Sequence, residues 1–205
     1  MSEEIAQPPS QAEARAALAE VDQIITQTRL AIAQGPSAPI LILWGGIWLV
    51  ADVTTQFYPH ALNWLWLALD GLGIAGTWWF SARARVQVRR TGLWKVGVFW
   101  FALLAYAMLW MYLLLPEAWG NIGHGWRDFE PMYRRMTTYF HLVCMFGYVV
   151  FGLWFGRFFL ALGLVVTTLI LVGYYCGFPY YYIWLGVAGG GSLIVAGAFI
   201  RKFWK

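Results

Sequence analysis

Two apolar stretches, PILILWGGIWLVADVTTQFY at residues 39–58 and ALNWLWLALDGLGIAGTWWFS at residues 61–81, decide the fold class of this chain. Each stretch has close to the ~20 residues that a helix needs to cross the hydrocarbon core of a membrane. The short connection between them, which contains Pro59, makes the two helices antiparallel neighbours. Together they predict a transmembrane hairpin.

Each of these stretches carries one aspartate four residues after a tryptophan. Trp48 precedes Asp52, and Trp66 precedes Asp70. On a helix this spacing puts the ring and the carboxylate on the same face, one turn apart. A carboxylate inside a membrane is costly unless it is protonated, paired or hydrated, so intramembrane acids are functional-site hypotheses. We therefore expect both aspartates to bind an ion or a ligand.

The composition extends the membrane interpretation to the whole chain. Of its 205 residues 60% are hydrophobic and 12% are charged, and the mean hydropathy is +0.59. A soluble domain of this size cannot bury so much apolar surface, so we expect the lipid bilayer to surround the protein and cover this surface. The prediction is an all-α integral membrane protein with a bundle of six transmembrane helices in a domain over 39–205, with spans at about 39–58, 61–81, 93–115, 136–156, 158–176 and 180–200.

The positions of the basic residues orient this bundle. Eleven of the 14 lysines and arginines fall on one side if six helices cross, and only Arg127, Arg134 and Arg135 fall on the other. Loops rich in lysine and arginine stay in the cytoplasm, so both termini should be cytoplasmic, in a bacterial inner membrane. The basic residues flank membrane spans, so the net charge of +4 does not indicate nucleic acid.

The N-terminal region reads as a disordered lead over residues 1–9 and an amphipathic cytoplasmic helix over 10–35. Ser10 and Glu13 form a capping box, and Gly35-Pro36 ends the helix. Apolar residues follow a four-three spacing along one narrow seam, whereas the polar face is not basic. We expect this helix to contact protein, either in a homo-oligomer or on a cytoplasmic partner or loop. A loosely attached surface helix is the alternative.

A weak internal repeat relates the first and last hairpins. Residues 52–76 resemble residues 172–194, with Pro59 opposite Pro179 and Trp66 opposite Trp184. Both aspartates fall opposite apolar residues, so the repeat would describe the scaffold alone.

Polar and small residues form a stripe on each helix of the first hairpin. Asn63, Trp66, Asp70 and Thr77 share a face of the second span, and Asp52 lies at a similar depth on the first. By helix rise, the two acids lie about 9 and 13 Å from the same membrane face. Two carboxylates close together cannot both ionise cheaply, so one should hold a proton. The alternative is that each acid only accepts hydrogen bonds from neighbouring side chains.

The fourth span adds His141, on a stripe with Thr137 and Cys144. Haem would need a second axial histidine at matching depth, and His60 and His124 lie in a turn and a loop. We therefore predict no cofactor and treat His141 as a ligand- or ion-binding candidate.

The long connector over residues 116–135 contains weak metal candidates. His124 and Asp128 stand four residues apart, but the glycines and prolines around them favour an irregular, hydrated lid. The chain has no metalloprotease, phosphate-loop or Cys-x-x-Cys motif, and we assign no catalytic residues.

Two functions remain open. The bundle is a transporter or channel for protons, cations or a small cationic molecule, acting through Asp52 and Asp70. Alternatively, it is a non-transporting partner subunit or a membrane ligand sensor that acts through its N-terminal helix.

Overall fold

The computed structural model describes residues 10–59, 62–88, 94–114 and 126–204. These residues are 93% helical and contain no strand, which confirms the all-α fold class. The elements are α1 (Gln11–Gln34), α2 (Ser37–Phe57), α3 (Leu62–Val88), α4 (Trp94–Leu114), α5 (Trp126–Phe155), α6 (Arg157–Tyr175), α7 (Tyr181–Leu185), a π-helix (Gly186–Gly191) and α8 (Ser192–Phe203). We call the continuous stretch Tyr181–Phe203 the C-terminal helix.

Among the described residues, four helical segments are long and apolar enough to cross a membrane. They are α2, Phe129–Trp154 within α5, α6 and the C-terminal helix. These four segments support an integral membrane protein. The six transmembrane helices expected from the sequence remain a prediction. The apolar part of α4 covers 17 residues, Gly97–Leu113. At 27 residues α3 is long enough, but four tryptophans, Asp70 and the arginines near its end make it less apolar.

The fifth helix begins earlier than the sequence suggests. Helical residues start at Trp126, so the second half of the expected irregular lid is helix. Pro131 lies in the second turn of this helix, where it removes one backbone hydrogen bond without ending the helix. Pro131 therefore does not mark a loop in this connector. Residues 115–125, including His124, lie outside the described residues.

Helix α1 begins with a reciprocal capping box. The Ser10 backbone N–H donates to Glu13 Oε2 at 2.7 Å, and the Glu13 backbone N–H donates to Ser10 Oγ at 3.3 Å. Every side chain that the structure describes in this helix, at residues 11–21 and 23, is exposed. Leu18 and Val21, both on the apolar seam, are 66% and 51% exposed. Contact of this seam with a partner and a cytoplasmic location remain predictions.

The core of the bundle is an antiparallel pair formed by α2 and the C-terminal helix. A methyl group added to Gly190 would lie 2.5 Å from the Gly45 carbonyl oxygen, and one added to Gly197 would lie 2.7 Å from the Ala38 carbonyl oxygen. Small residues let helix backbones approach closely, and they commonly form interfaces between membrane helices. On α2 these contacts lie at Ala38 and Gly45, which are seven residues apart, and Asp52 follows seven residues later.

Candidate functional site

The buried centre of the site is a contact between an acid and a histidine on different helices. Asp52 Oδ2 on α2 lies 3.1 Å from His141 Nε2 on α5, and both side chains are 0% exposed. No other oppositely charged pair within 4.0 Å is present among the described residues. Burial in a bundle of this kind removes water from both groups, so Asp52 Oδ2 and His141 Nε2 depend on each other for a polar partner.

The second ring nitrogen of His141 determines where protons can sit. Nδ1 lies 2.8 Å from the Thr137 carbonyl oxygen, and a carbonyl can only accept, so Nδ1 carries a hydrogen. The contact between Nε2 and Asp52 Oδ2 then needs one proton. That proton resides either on the carboxyl group or on an imidazolium. In both forms the pair as a whole is neutral and holds one shared, transferable proton.

The glycines of the C-terminal helix make room for this pair. A methyl group on Gly186 would lie 3.1 Å from Asp52 Cβ, and one on Gly189 would lie 3.3 Å from His141 Cδ2. Both glycines belong to the π-helix, which interrupts the last span. Short π-helical segments occur frequently at functional sites. Asp52 can therefore be buried because the facing helix has no side chains there.

Trp48 covers the other side of the histidine. Its ring centroid lies 4.2 Å from that of His141, with a tilt of 53°. Trp48 lies one turn before Asp52 on the same side of α2. Asp52 therefore contacts the edge of the imidazole, and the Trp48 ring packs against the imidazole ring. The structure thus brings together three of the residues that the sequence indicated, namely Asp52, Trp48 and His141.

Hydroxyl groups lie beside the acid–histidine pair. The Trp66 indole N–H on α3 donates to the Tyr133 hydroxyl at 2.9 Å. The side chains of Thr55 and Thr137 lie close to the same hydroxyl. Thr55 is one turn from Asp52, and Thr137 supplies the carbonyl that holds His141. We call Thr55, Tyr133 and Thr137 the hydroxyl cluster.

The remaining candidates of the second span make no direct hydrogen bond to this pair among the described residues. Asp70 is half-buried on α3, and no hydrogen bond or ion pair joins it to Asp52 among the described residues. Thr77 accepts a hydrogen bond from the Trp44 indole at 2.9 Å, which links α2 and α3. Trp66 likewise bonds to a hydroxyl. The side chain of Asn63 is outside the described residues. Among the described residues, the hydrogen-bonding partner of Asp52 is therefore His141 and not Asp70.

A polar cavity of about 80 Å³ lies at one end of the bundle. It is bounded by the last turn of α2, the first turns of α5 and the start of α7. We call it the Arg134 cavity, and its polar lining residues are Thr55, Gln56, Glu130, Arg134, Tyr181 and Tyr182. His141 follows Arg134 by seven residues, so the cavity is about 10 Å from the buried pair along α5. Thr55 belongs to both the cavity and the hydroxyl cluster.

Sequence reasoning missed this cavity. Arg134 counted only as a basic residue outside the spans, and Glu130 as part of a hydrated lid. A helical spacing of four residues between them was the available signal, but the prolines and glycines nearby concealed it. His124 and the side chain of Asp128, the weak metal candidates, lie outside the described residues. Within the described residues, no group of three His, Cys, Asp or Glu side chains could hold a metal.

The fold and site together define a helical bundle whose apolar helices are compatible with a polytopic membrane protein and which contains a buried acid–histidine pair. No protein-family model, curated protein or solved structure matches this chain. The chemistry of the pair and the cavity is therefore the basis for assigning a function.

Proposed function

We propose that this chain is a proton-coupled membrane transporter in which Asp52 and His141 together bind the proton. The observation that carries the proposal is the 3.1 Å contact between two fully buried titratable side chains on two apolar helices. Among protons, metal cations and small cationic molecules, this site favours the proton. A hard metal cation needs several oxygen ligands, and the pair offers one carboxylate.

A purely structural ion pair is the competing interpretation. Buried ion pairs contribute little net stability compared with well-packed apolar residues of similar volume. Titratable groups within membrane spans commonly mark ion pathways and proton relays. The hydroxyl cluster favours such a relay because its groups can donate and accept protons between the pair and the Arg134 cavity. With the predicted cytoplasmic termini, this cavity opens toward the outer side of a bacterial inner membrane.

The π-helix supplies a place where the bundle can change shape. Its backbone contacts Asp52 and His141 through glycines, so a shift between π- and α-helical hydrogen bonding would move the wall of the proton site. Transport requires that a site open to one side at a time. A glycine-rich segment in the wall suits that requirement.

Proton uptake by purified protein in liposomes tests the proposal. We expect Asp52→Asn to reduce uptake at least 10-fold, because the amide retains the shape and one hydrogen bond but cannot release the proton. Glu20→Gln, which removes an exposed acid on α1, is the matched control and should leave uptake unchanged. Asp70→Asn, made in parallel, measures whether the second acid contributes.

Difference infrared spectroscopy identifies the protonated group directly. A carboxyl C=O band that responds to pH in the unmodified protein and disappears in Asp52→Asn would support the pair as the proton site. Uptake that survives both Asp52→Asn and His141→Gln undiminished would contradict the proposal.

One observation favours a second function, that of a partner subunit or sensor. Leu18 and Val21 on the seam of α1 are exposed, as expected for a surface that another protein covers. Leu18→Asp should then weaken self-association or partner capture. Ala16→Asp, on the opposite face, should not. Normal complex formation by Leu18→Asp would remove this candidate.

A further inference from the structure

One side chain that borders the Arg134 cavity can both take up and release a proton near neutral pH. The other described lining residues are an arginine, which stays protonated in proteins, hydroxyl groups, which keep their hydrogens at neutral pH, an amide and a proline. None of these groups changes its protonation at that pH. The remaining lining residue is Glu130, whose carboxyl group exchanges protons with water.

The carboxyl group of Glu130 is held in place by α7. Its Oε1 accepts a hydrogen bond from the Tyr182 hydroxyl at 3.3 Å, and the Tyr182 backbone N–H donates to Gln56 Oε1 at 3.2 Å. Glu130 is half-buried and borders a cavity that is partly open to the outside. The other charged or titratable groups described around this cavity are Arg134 on α5 and Tyr181 and Tyr182 on α7, whereas α2 contributes neutral side chains.

Glu130 is the first member of a polar stripe on α5 that leads to the buried pair. Arg134, Thr137 and His141 follow it at intervals of four, three and four residues, which places them on one face of the helix. The rise per residue separates Glu130 from His141 by about 16 Å along the helix axis. A proton cannot cross this distance in one transfer, so groups between the two residues must carry it.

Hydroxyl groups lie between the cavity and the acid of the pair. Thr55 borders the cavity and follows Asp52 by three residues on α2, and Tyr181 borders the cavity from α7. The charge of Asp52 acts on the hydroxyl groups of both Tyr133 and Tyr181, so both lie near the acid. The cavity volume of about 80 Å³ is enough for a few water molecules, which can connect its carboxyl group to these hydroxyls.

We propose that Glu130 loads the proton that Asp52 and His141 receive. Glu130 takes up a proton from water on the side where the cavity opens and becomes neutral. It then gives a proton to the cavity water and the hydroxyl cluster, in which each oxygen accepts one hydrogen and releases another. Asp52 in its carboxylate form, beside a neutral His141, receives a proton, and Glu130 returns to its carboxylate form. One proton moves, and no other bond changes.

This inference rests on the proposed function for the destination of the proton, and it adds the loading group and the side of entry. A purely structural role for Glu130 is the competing explanation. Glu130→Gln separates the two, because it keeps an oxygen that can accept from the Tyr182 hydroxyl but cannot carry a proton. A structural role predicts that the change is tolerated, and proton loading predicts that it is not.

A pH jump on the full-length protein in detergent tests the inference. Time-resolved infrared spectroscopy of the Asp52 carboxyl band measures the rate at which the pair gains its proton. We expect Glu130→Gln to slow this rate at least about 10-fold and to leave the final amplitude unchanged, because the change affects the path and not the destination. Tyr182→Phe keeps the carboxyl group and should slow the rate less. Glu20→Gln, on the exposed face of α1, is the matched control.

Chemical rescue separates proton loading from a change of structure. Azide is a small weak acid that can enter a cavity of this size and carry a proton. Sodium azide should restore the rate of Glu130→Gln toward that of the unmodified protein, whereas sodium chloride at equal ionic strength should not. The measurement is made in detergent because weak acids also carry protons across lipid. If Glu130→Gln does not purify as a folded protein, Glu130→Ser serves as a second neutral replacement in the same test.

Equal rates in Glu130→Gln and the unmodified protein would overturn the inference and leave Asp52 and His141 as the proton site. A slow Glu130→Gln that azide does not restore would also overturn it, because the residue would then act through structure. An Asp52 carboxyl band that does not respond to pH in the unmodified protein would instead reject the proposed function, and the role of Glu130 with it.

Discussion

Asp52 and His141 depend on each other because water is excluded from both. The Nδ1–H of His141 is committed to the Thr137 carbonyl, so Nε2 faces the carboxyl group with a single proton between them. The second carboxyl oxygen, Oδ1, is buried and has no hydrogen-bond partner among the described residues. The pair can therefore exist in two protonation forms, with the shared proton on the carboxyl group or on the imidazole.

The energetic coupling of this pair leads to a prediction about stability. His141→Ala or Asp52→Ala should each lower the free energy of unfolding by about 3–5 kcal/mol, because each leaves a buried polar group without its partner. The double variant should lose less than the sum of the two single losses. Equilibrium unfolding in mixed micelles measures all four proteins of the cycle.

Thr168→Ala provides the control for this cycle. Its hydroxyl is exposed on α6 and only donates to the Leu164 carbonyl, so the change should alter stability by less than about 0.5 kcal/mol. Additive losses in the double variant would show that the two side chains are not coupled.

At the scale of helices, the close approach of α2 to the C-terminal helix predicts a strong position dependence among the glycines. Gly190→Ala would put a methyl group 2.5 Å from the Gly45 carbonyl oxygen, so the backbones must separate. Such overpacking costs about 1–3 kcal/mol and would also disturb the neighbouring pair.

Gly191→Ala is the matched comparison for Gly190→Ala, because a methyl group there meets no atom within 4 Å. It should be neutral or slightly stabilising in a helical segment. Thermal unfolding in detergent, read together with proton uptake, separates the two variants. Equal behaviour of the two variants would mean that the helices do not approach as closely as described.

The first turn of α1 carries a pH-dependent prediction. Hydrogen bonds from the backbone N–H and the hydroxyl of Ser10 hold the pKa of Glu13 below its ordinary value. A lowered pKa in the folded helix means that the capping box stabilises the helix above the ordinary carboxyl pKa. That contribution is lost as the pH falls through the lowered value.

NMR titration of the Glu13 side-chain carboxyl carbon measures this pKa. We expect it to lie below that of a short unstructured peptide containing the same residues, and helix α1 to fray at its N-terminus as Glu13 becomes protonated. Ser10→Ala should move the pKa of Glu13 back toward the peptide value. An identical titration in both proteins would show that the capping box is not formed in solution.

For the whole molecule, the ends of the helices predict which cysteine reacts from which side. The Arg134 cavity brings the C-terminal end of α2 together with the N-terminal ends of α5 and α7, so these ends share one face of the bundle. Cys176 is exposed just before α7, whereas Cys144 is buried. With cytoplasmic termini, a membrane-impermeant maleimide should label Cys176 in intact cells.

The reporter for the opposite face is Ser10→Cys in a protein whose Cys176 is replaced by serine. Ser10 is exposed at the start of α1, so it should react only after the cells are opened. The reverse pattern would invert the predicted orientation. Because four crossings and six crossings both return the chain to its starting side, this experiment tests orientation and not the number of spans.

The sequence by itself determined the helical class of this protein, because long apolar runs must satisfy their backbone hydrogen bonds internally in lipid. It also indicated Asp52, Trp48 and His141, since polar groups in such runs are rare and the tryptophan lies one helical turn from the acid. These inferences depend on composition and on helical periodicity. Both are local properties of the chain.

Only the tertiary structure decided that Asp52 meets His141, a residue 89 positions away, and not Asp70 on the adjoining helix. Similar depth does not determine which faces of two helices meet. That choice follows from the glycines at positions 186 and 190, which let the C-terminal helix approach α2 and turn Asp52 toward the core. The Arg134 cavity likewise exists because three helix ends converge. The packing of distant segments decides such convergence, and the periodicity of residues along one helix does not predict it.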